Sequence, residues 1–497
     1  MIDKDTIVAV ATGTNGAISV IRVSGENTFA ICDRVFKAGN NKTLTSADSH
    51  TIVYGHIFQN DITVDEVLIS VFKGPNSYTG EDSAEISCHA SGYVIQKILS
   101  LLIEKGARSA RPGEFTMRAF LNGKLDLSQA EAVADLIASS SELSHKVAIN
   151  QLRGGFSSEI KNLRDQLLHF SSMLELELDF SEEEVEFADR KEFIKLIEKI
   201  NLHISSLIQS FRLGNIIKNG VPVTIIGEPN VGKSTLLNAL LNDDKAIVSD
   251  IPGTTRDAIE DTINIDGIIY RFIDTAGIRE TNDTIETIGI ERTYNKINQA
   301  DIILYLFDVN NTDKNKINRS LKELKSKLSE DKKIIIIINK TDKKNNLTAY
   351  EVPVSVDVPV SVDVPVSVDV PDRFNEPYSV LSGYEVPDRF IEPYPVICIS
   401  AKNKTNIDQL ILKLKEITNT KNISGSEIIV SNIRHWEALT KAYEHTQEVY
   451  KGFQNNIPSD LIATDLRSAL YYLGEITGEI SSTDILNNIF SSFCIGK

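Results

Sequence analysis

The stretch Gly227-Glu228-Pro229-Asn230-Val231-Gly232-Lys233-Ser234 decides how this chain is read. Residues 223–226 before it are an apolar, β-branched run that predicts a buried strand. Residues 235–241 after it carry leucines spaced for one face of a helix. Strand, glycine loop and helix in that order make G-x-x-x-x-G-K-[ST] a phosphate-binding loop. Its backbone N–H groups close around phosphate oxygens, and the helix N-terminus adds its positive end. Lys233 would reach the β/γ-phosphates, the Ser234 hydroxyl would sit on Mg²⁺, and Val231, Gly232 and Thr235 would complete the cradle. The alternative is a glycine turn of chance composition, which average residue usage yields in only about two chains per hundred of this size.

Four further stretches follow in the order a guanine-nucleotide switch requires. Asp250-Ile251-Pro252-Gly253-Thr254-Thr255-Arg256-Asp257 offers Thr255, a hydroxyl to complete a Mg²⁺ shell when a γ-phosphate is present. Arg271-Phe272-Ile273-Asp274-Thr275-Ala276-Gly277 reads as a strand ending in an acid, with Asp274 behind the metal and the Gly277 N–H sensing the γ-phosphate. Residues 334–338 predict a buried strand running into Asn339-Lys340-Thr341-Asp342, which resembles the guanine-specificity tetrad. There the Asp carboxylate accepts from guanine N1–H and the 2-amino group. Residues 396–399 lead into Ser400-Ala401-Lys402, which resembles the loop that supports guanine O6. Each later motif is weak alone, but five in order, each at a strand end, imply GTP at the carboxyl ends of a parallel sheet.

The glutamine that Ras-type switches place after Asp-x-x-Gly is Ile278 here, and an isoleucine cannot orient water. Asn230 offers an oxygen near the phosphates, the position that helps hold K⁺ in potassium-activated GTPases. Glu286 could bring a carboxylate to the water on a mobile switch; as a bare residue it reads as a solvated charge at roughly nine to one, since exposed carboxylates are commonplace.

The chain has 497 residues, enough for about three domains. Its 41% hydrophobic and 24% charged residues are ordinary for a soluble globular protein. A net charge of −17 argues against a broad basic nucleic-acid surface, though a local patch or a basic partner fits it. Cys32, Cys88, Cys398 and Cys494 show neither metal spacing nor a disulfide framework, which suits the cytoplasm. Met1-Ile2-Asp3-Lys4-Asp5 lacks the basic start of a leader, and no run has the length of a membrane span.

Up to about residue 122 strand-like runs (7–10, 17–23, 67–72) mix with an amphipathic helix at 93–105. Residues 129–139, 143–152, 159–176 and 190–211 then carry apolar residues at helical spacing, as do 433–450, 460–473 and 482–490. Glu182-Glu183-Glu184 with Glu186 reads as a solvated helix start, since no oxygen-ligand spacing stands out. Helical blocks on both sides of an α/β unit suggest one helical domain interrupted by an inserted one. The expected architecture is multidomain α/β. An α+β domain spans 1–122, a helical domain 123–217 and 422–497, and a P-loop domain, with helices on both faces of a parallel sheet, 218–421. Between about 350 and 395 a Val-Pro-Val-Ser-Val-Asp unit repeats. Its prolines deny it a place inside a sheet, and three copies are too few for a solenoid, so it reads as a low-complexity loop.

Outside the GTPase core stand Ile21-Arg22-Val23-Ser24-Gly25, Pro75-Asn76-Ser77-Tyr78-Thr79-Gly80-Glu81-Asp82, Ala110-Arg111-Pro112-Gly113-Glu114-Phe115-Thr116 continuing through Arg118 to Leu127, and Phe493-Cys494-Ile495-Gly496-Lys497. On these and the five motifs the chain resembles, over nearly its whole length, the MnmE (TrmE/ThdF) family of tRNA-modification GTPases. Only the valine-proline repeat departs from the pattern. The resemblance implies a first domain similar to folate-binding folds that dimerises and binds 5-formyl- or 5,10-methylene-tetrahydrofolate. Arg22, Glu81 and Lys124 would contact the folate, joined by Lys497. Independently, a pterin needs a carboxylate for its amidine edge and cations for its glutamate tail. K⁺ would be held by Asn230, Ser249, the Ile251 carbonyl and Thr254, and Mg²⁺ by Ser234 and Thr255. Glu286 matches the general base for water, beside Lys233 in catalysis. Cys494 would lie near the one-carbon group; a frayed terminus is the bland alternative, and Lys497 argues against a prenylation box.

The implied activity is GTP hydrolysis coupled to modification of the tRNA wobble uridine at C5. The implied complex is a heterotetramer with the FAD/NADH-dependent GidA (MnmG) protein. A ribosome-assembly GTPase is the rival, and it predicts a basic RNA-binding module that the sequence does not display.

Overall fold

Apolar alternation near the start of the chain builds a sheet with one buried face. The computed structural model describes residues 5–13, 16–39, 42–179, 190–241, 261–273, 299–326, 328, 332–343, 394–418, 428–455, 457–491 and 493–496. Strands β1 (Ile7–Val10), β2 (Ile18–Ser24), β3 (Phe36–Ala38), β4 (Thr51–Gln59), β5 (Ile62–Phe72), β6 (Ser83–His89) and β7 (Arg108–Ser109) form the order β3-β4-β5-β6-β2-β1-β7. All pairings are antiparallel except β1 with β7. Ile57, Val67, Ile69, Val71, Ala84, Ile86, Ile21 and Val23 point to one face, as period-two alternation requires, and pack with α1 (Thr28–Asp33) and α2 (Gly92–Glu104). On the other face Ile52, Tyr54 and Leu68 stay exposed, Tyr54 directly opposite Leu68.

Helices α3 (Glu114–Leu121), α4 (Leu127–Ala138), α5 (Glu142–Leu152), α6 (Gly155–Asp179) and α7 (Arg190–Asn219) follow. Asp126 starts α4 with a capping box: its carboxylate accepts from the Gln129 N–H, and Gln129 Oε1 accepts from the Asp126 N–H. Helix α7 runs past Gly214, where the apolar spacing resumes at Ile217, and so outlasts the predicted end at residue 211.

The chain then enters β8 (Val221–Gly227), α8 (Lys233–Leu241), β9 (Asp261–Ile265), β10 (Ile268–Phe272), β11 (Ile302–Asp308), α9 (Lys314–Lys325), β12 (Lys333–Asn339), β13 (Val396–Cys398) and α10 (Ile407–Thr418). Their sheet has the order β13-β12-β11-β8-β10-β9, parallel except for β9 with β10. The isoleucine run 334–338 on β12 is wholly buried, as a strand covered on both faces must be. Strand β8 pairs with β11 on one side and β10 on the other. The strand order reverses there, and it is at the carboxyl end of such a switch point that open α/β sheets bind ligands.

Helices α11 (Ile433–Gln454), α12 (Ser459–Thr477) and α13 (Thr483–Ser491) end the chain. Helices α6, α7, α11 and α12 share one core through Ile160, Leu163, Ile197, Ile204, Leu439 and Leu466. Residues far apart in sequence also meet through charge. Glu131 of α4 accepts Arg434 Nε and Nη2 of α11 at 2.9 and 2.7 Å, and lies 2.7 Å from His435 Nε2. Burial alone would raise the Glu131 pKa, but the His435 and Arg434 charges and hydrogen bonds outweigh it and hold it down to about 2. Two compact units result: Met1–Lys218 with Ser424–Lys497, and Asn219–Ile423. The acidic run at 182–186 and residues 350–393 of the repeat tract lie outside the described residues.

Candidate functional sites

At the carboxyl end of β8 the chain turns through Gly227 to Gly232 into α8. A side chain at Gly232, where φ is +101°, would collide with the Asn339 amide nitrogen, so this turn requires glycine. Lys233 folds back over the loop and donates to the Gly227 carbonyl at 2.9 Å and the Glu228 carbonyl at 3.0 Å. Partial burial lowers its pKa. Ser234 is half-buried, while Thr235 and Asn230 are exposed. Asn230 adopts a left-handed φ of +63°.

Two other loops are laced to this one. Asn339, at the end of β12, donates from Nδ2 to the Val231 carbonyl at 2.8 Å and accepts from the Ala401 N–H at 3.0 Å. A single buried amide thus ties the phosphate loop to Ser400-Ala401-Lys402. Lys340 donates to the Asn230 carbonyl at 2.6 Å and to Asp308 Oδ2, on the end of β11, at 2.7 Å. Burial would raise the Asp308 pKa, but Lys340 outweighs it and lowers it. The Ser400 hydroxyl donates to Asp342 Oδ1 at 2.6 Å, which lowers that pKa and keeps an exposed carboxylate oriented and ionised. Thr341 donates its N–H to the Ile399 carbonyl at 3.2 Å, and Lys402 is exposed. The arrangement offers ammonium groups and a helix N-terminus to an anion, and an oriented carboxylate to a planar donor edge. Ser234 and Asn230 present hard oxygen donors of the type Mg²⁺ and K⁺ take, so the described part of each shell fits its ion. Ser249, Asp250, Ile251, Pro252, Gly253, Thr254, Thr255, Asp274, Thr275, Ala276, Gly277, Ile278 and Glu286 lie outside the described residues. Lys340 with Asp308 went unseen in the sequence; an acid closing an apolar strand was the available signal.

A second cluster lies in the other unit. Arg22 on β2 pairs with Glu85 directly opposite on β6, Nε to Oε1 at 2.9 Å, and its guanidinium lies over the Tyr78 and Phe115 rings at 5.0 and 5.6 Å. Tyr78 donates to or accepts from Thr116 at 2.9 Å, and burial raises its pKa. Glu81 accepts from the Ser24 hydroxyl at 3.1 Å and from Arg118 Nη1 at 3.2 Å. Exposed Lys124 donates to the Pro75 carbonyl at 3.1 Å, so the loop from Pro75 to Asp82 brings Glu81 and Lys124 to neighbouring positions. Beneath them Arg118, 2% exposed, joins Asp5, Glu81 and Glu114, and Glu114 also takes both Nη atoms of Arg108. Burial would lower the Arg118 pKa, but the carboxylates raise it. Glu85, Tyr78, Arg108, Glu114 and Arg118 are contributors that the sequence reading left without roles. The exposed Cys494 lies beside α3, where its carbonyl accepts from the Gly113 N–H at 3.4 Å. Lys497 lies outside the described residues. Among the described residues no metal-binding group of His, Cys, Asp and Glu occurs, and no helix is long and apolar enough to cross a membrane.

Comparison with known proteins places these features. Residues 6–124 match the family described as GTP-binding protein TrmE N-terminus, and residues 127–494 the MnmE helical domain. The tRNA modification GTPase MnmE of Flavobacterium johnsoniae is 50% identical over 500 residues, covering 100% of both chains. That of Bacteroides thetaiotaomicron is 48% identical over 499 residues, again covering 100% of both. Among solved structures, the G domain of the T. maritima FeoB iron transporter aligns with 39% of this chain and 97% of its own, at 22% identity and a TM-score of 0.24, which is too slight a likeness to argue from. Full-length identity near one half leaves no room for coincidence: the chain belongs to the MnmE family of tRNA modification GTPases.

Proposed function

We propose that this chain is a potassium-activated GTPase that acts with an FAD/NADH-dependent GidA (MnmG) partner on tRNA in the cytoplasm. Together they install an aminomethyl or carboxymethylaminomethyl group at C5 of the wobble uridine, using the one-carbon unit of 5-formyl- or 5,10-methylene-tetrahydrofolate. The observation that carries the nucleotide half is the lacing of three loops through Asn339, with Asp342 held by Ser400. Asp342 accepts from guanine N1–H and the 2-amino group, while Ala401 and Lys402 line the O6 side. Lys233 exchanges the Gly227 and Glu228 carbonyls for β/γ-phosphate oxygens, a swap that strengthens its hydrogen bonds because the new acceptors are charged. Ser234 and Thr255 would hold Mg²⁺, and Asn230, Ser249, Ile251 and Thr254 would hold K⁺; when bound, these ions neutralise charge on the phosphates. Glu286 takes the proton of the attacking water, a role open because Ile278 cannot orient it.

In the other unit Glu81 suits the amidine edge of a pterin, Lys124 and Lys497 suit the carboxylates of its tail, and Arg22 with Tyr78 suits a flat ring. The open sheet face with Ile52, Tyr54 and Leu68 supports a homodimer. Hydrolysis drives a conformational change that gates chemistry elsewhere.

A strain lacking this chain tests the reading. Loss of the wobble-uridine modification is expected; normal modification with accumulated ribosomal precursors would overturn it. Turnover several-fold faster in K⁺ than in Na⁺ is expected of the purified protein, and equal rates remove Asn230 from its role.

A further inference from the structure

Asn230 turns through a left-handed φ of +63°, which asparagine tolerates better than most side chains but which still costs energy. Such a turn persists only where its surroundings fix it. Lys233 is a poor anchor for the loop, because its carbonyl partners, Gly227 and Glu228, are the ones it gives up for phosphate in the reading above. The hold on Asn230 comes from outside the motif. Strands β11 and β12 run parallel in a register that sets Asp308 beside Asn339, so Lys340 follows at the same end of the sheet. The Lys340 ammonium then bridges Asp308 Oδ2 at 2.7 Å and the Asn230 carbonyl at 2.6 Å. Asp308 is itself fixed, since its other oxygen accepts the Asn310 N–H at 3.0 Å and the Asn310 amide nitrogen at 3.1 Å.

A second arm reaches the same loop from the start of α9. Lys316 pairs with the Glu228 carboxylate at 2.8 Å, while its N–H donates to Asp313, the N-cap of that helix. The two arms grip the loop on either side of Pro229, and they are not equal. Glu228 is 57% exposed and Lys316 37%, and pairs so open to water contribute little. Asp308 is 13% exposed and Lys340 24%, so water screens their charges less. Their arm also ends on the backbone of the one residue whose conformation is unusual.

We infer that Asp308 is a positioning residue for the cation site: through Lys340 it fixes the Asn230 backbone, and with it the place of the amide oxygen offered to K⁺. An oxygen held in one place discriminates between ions of different size, whereas one free to follow a smaller ion does not. What Asp308 does for K⁺ rests on the potassium reading above; what it does for the loop does not.

The test uses the full-length protein with Asp308→Ala, which removes the strut, and Asp308→Asn, which keeps its shape and removes its charge. Lys316→Ala is the control that cuts the weaker arm. Crystal structures of the variants and wild type without nucleotide read the backbone directly. In Asp308→Ala the Lys340–Asn230 hydrogen bond is expected to be lost and Asn230 to leave its φ of +63° for the negative region. The ratio of GTP turnover in K⁺ to that in Na⁺ is expected to fall about threefold or more, and by less in Asp308→Asn, whose amide oxygen still accepts from Lys340. Lys316→Ala should keep the wild-type ratio. Affinity for a fluorescent GDP should change less than about threefold, because Asn339 still holds the Val231 carbonyl and Ser400 still holds Asp342. An unmoved Asn230 in Asp308→Ala, or in Asp308→Asn if the alanine variant does not fold, together with a wild-type ion ratio, overturns the positioning role. GDP affinity that falls as far as the ion ratio overturns it too, since Asp308 would then support the whole nucleotide loop rather than the cation site. A displaced Asn230 beside a wild-type protein that turns over equally in K⁺ and Na⁺ leaves the hold on the loop standing and removes the potassium reading instead.

Discussion

Arg118 and Lys233 are both cations at the centre of a proposed site, and they are held in opposite ways. Arg118 is 2% exposed and meets Asp5, Glu81 and Glu114, three carboxylates drawn from the chain start, a loop and a helix. Its desolvation is offset only while all of them are in place, so it is part of the fold. Lys233 rests on two neutral carbonyls of its own loop. Neutral partners bind it less strongly than phosphate oxygens would, so they can be exchanged. One unit carries a cation locked in place by the fold, and the other a cation whose partners can be exchanged.

The sharpest way to break this contrast is Arg118→Met, which takes from Glu81 its cation and leaves Asp5 and Glu114 to Arg108 alone. It should cost about 3–5 kcal/mol of stability in urea denaturation, the range for breaking a buried ion pair. A loss below about 1 kcal/mol would show that the cluster is solvated rather than structural.

Next in size is the acid limb of Glu131. Its folded pKa of about 2 lies below the ordinary 4.5, so its contribution is complete above pH 4.5 and disappears as pH falls toward 2. That difference amounts to about 3 kcal/mol. Denaturant titrations from pH 5 to 2 should show this slope in the wild type and a flatter one in Glu131→Gln. Parallel curves would mean that Arg434 and His435 do not hold the carboxylate.

Lys233→Ala should behave in the reverse manner to Arg118→Met. GTP affinity is expected to fall about 100-fold, equivalent to about 2.7 kcal/mol, with unchanged urea stability of the unliganded protein. A destabilised variant would place Lys233 in the fold and erase the contrast. The smallest effect belongs to Tyr270→Phe. Tyr270 is buried and its hydroxyl reaches Thr418 Oγ1 at 3.1 Å, where burial pushes the phenol pKa up to about 12. Losing one neutral hydrogen bond should cost about 1 kcal/mol. This tests whether the nucleotide-binding unit is as firmly built as the other away from its loop.

Spacing along the chain was enough to locate the phosphate loop, the Asn339–Asp342 and Ser400–Lys402 stretches, and the helices of both blocks. These signals are local: a glycine turn between strand and helix, apolar residues every third or fourth position, an apolar run bounded by turn residues. Helix and strand ends were less legible, as α7 shows, because Gly214 interrupts a pattern that packing then continues to Asn219. The sequence alone determined which chemistry this protein carries and in what order along the chain. Only the tertiary structure decided what each group meets. It set Glu85 against Arg22 across 63 residues, Arg118 against Asp5 across 113 and Glu131 against Arg434 across 303. No periodicity encodes such partners. They arise where packed elements bring distant backbone together, and burial then demands that every charge find its opposite.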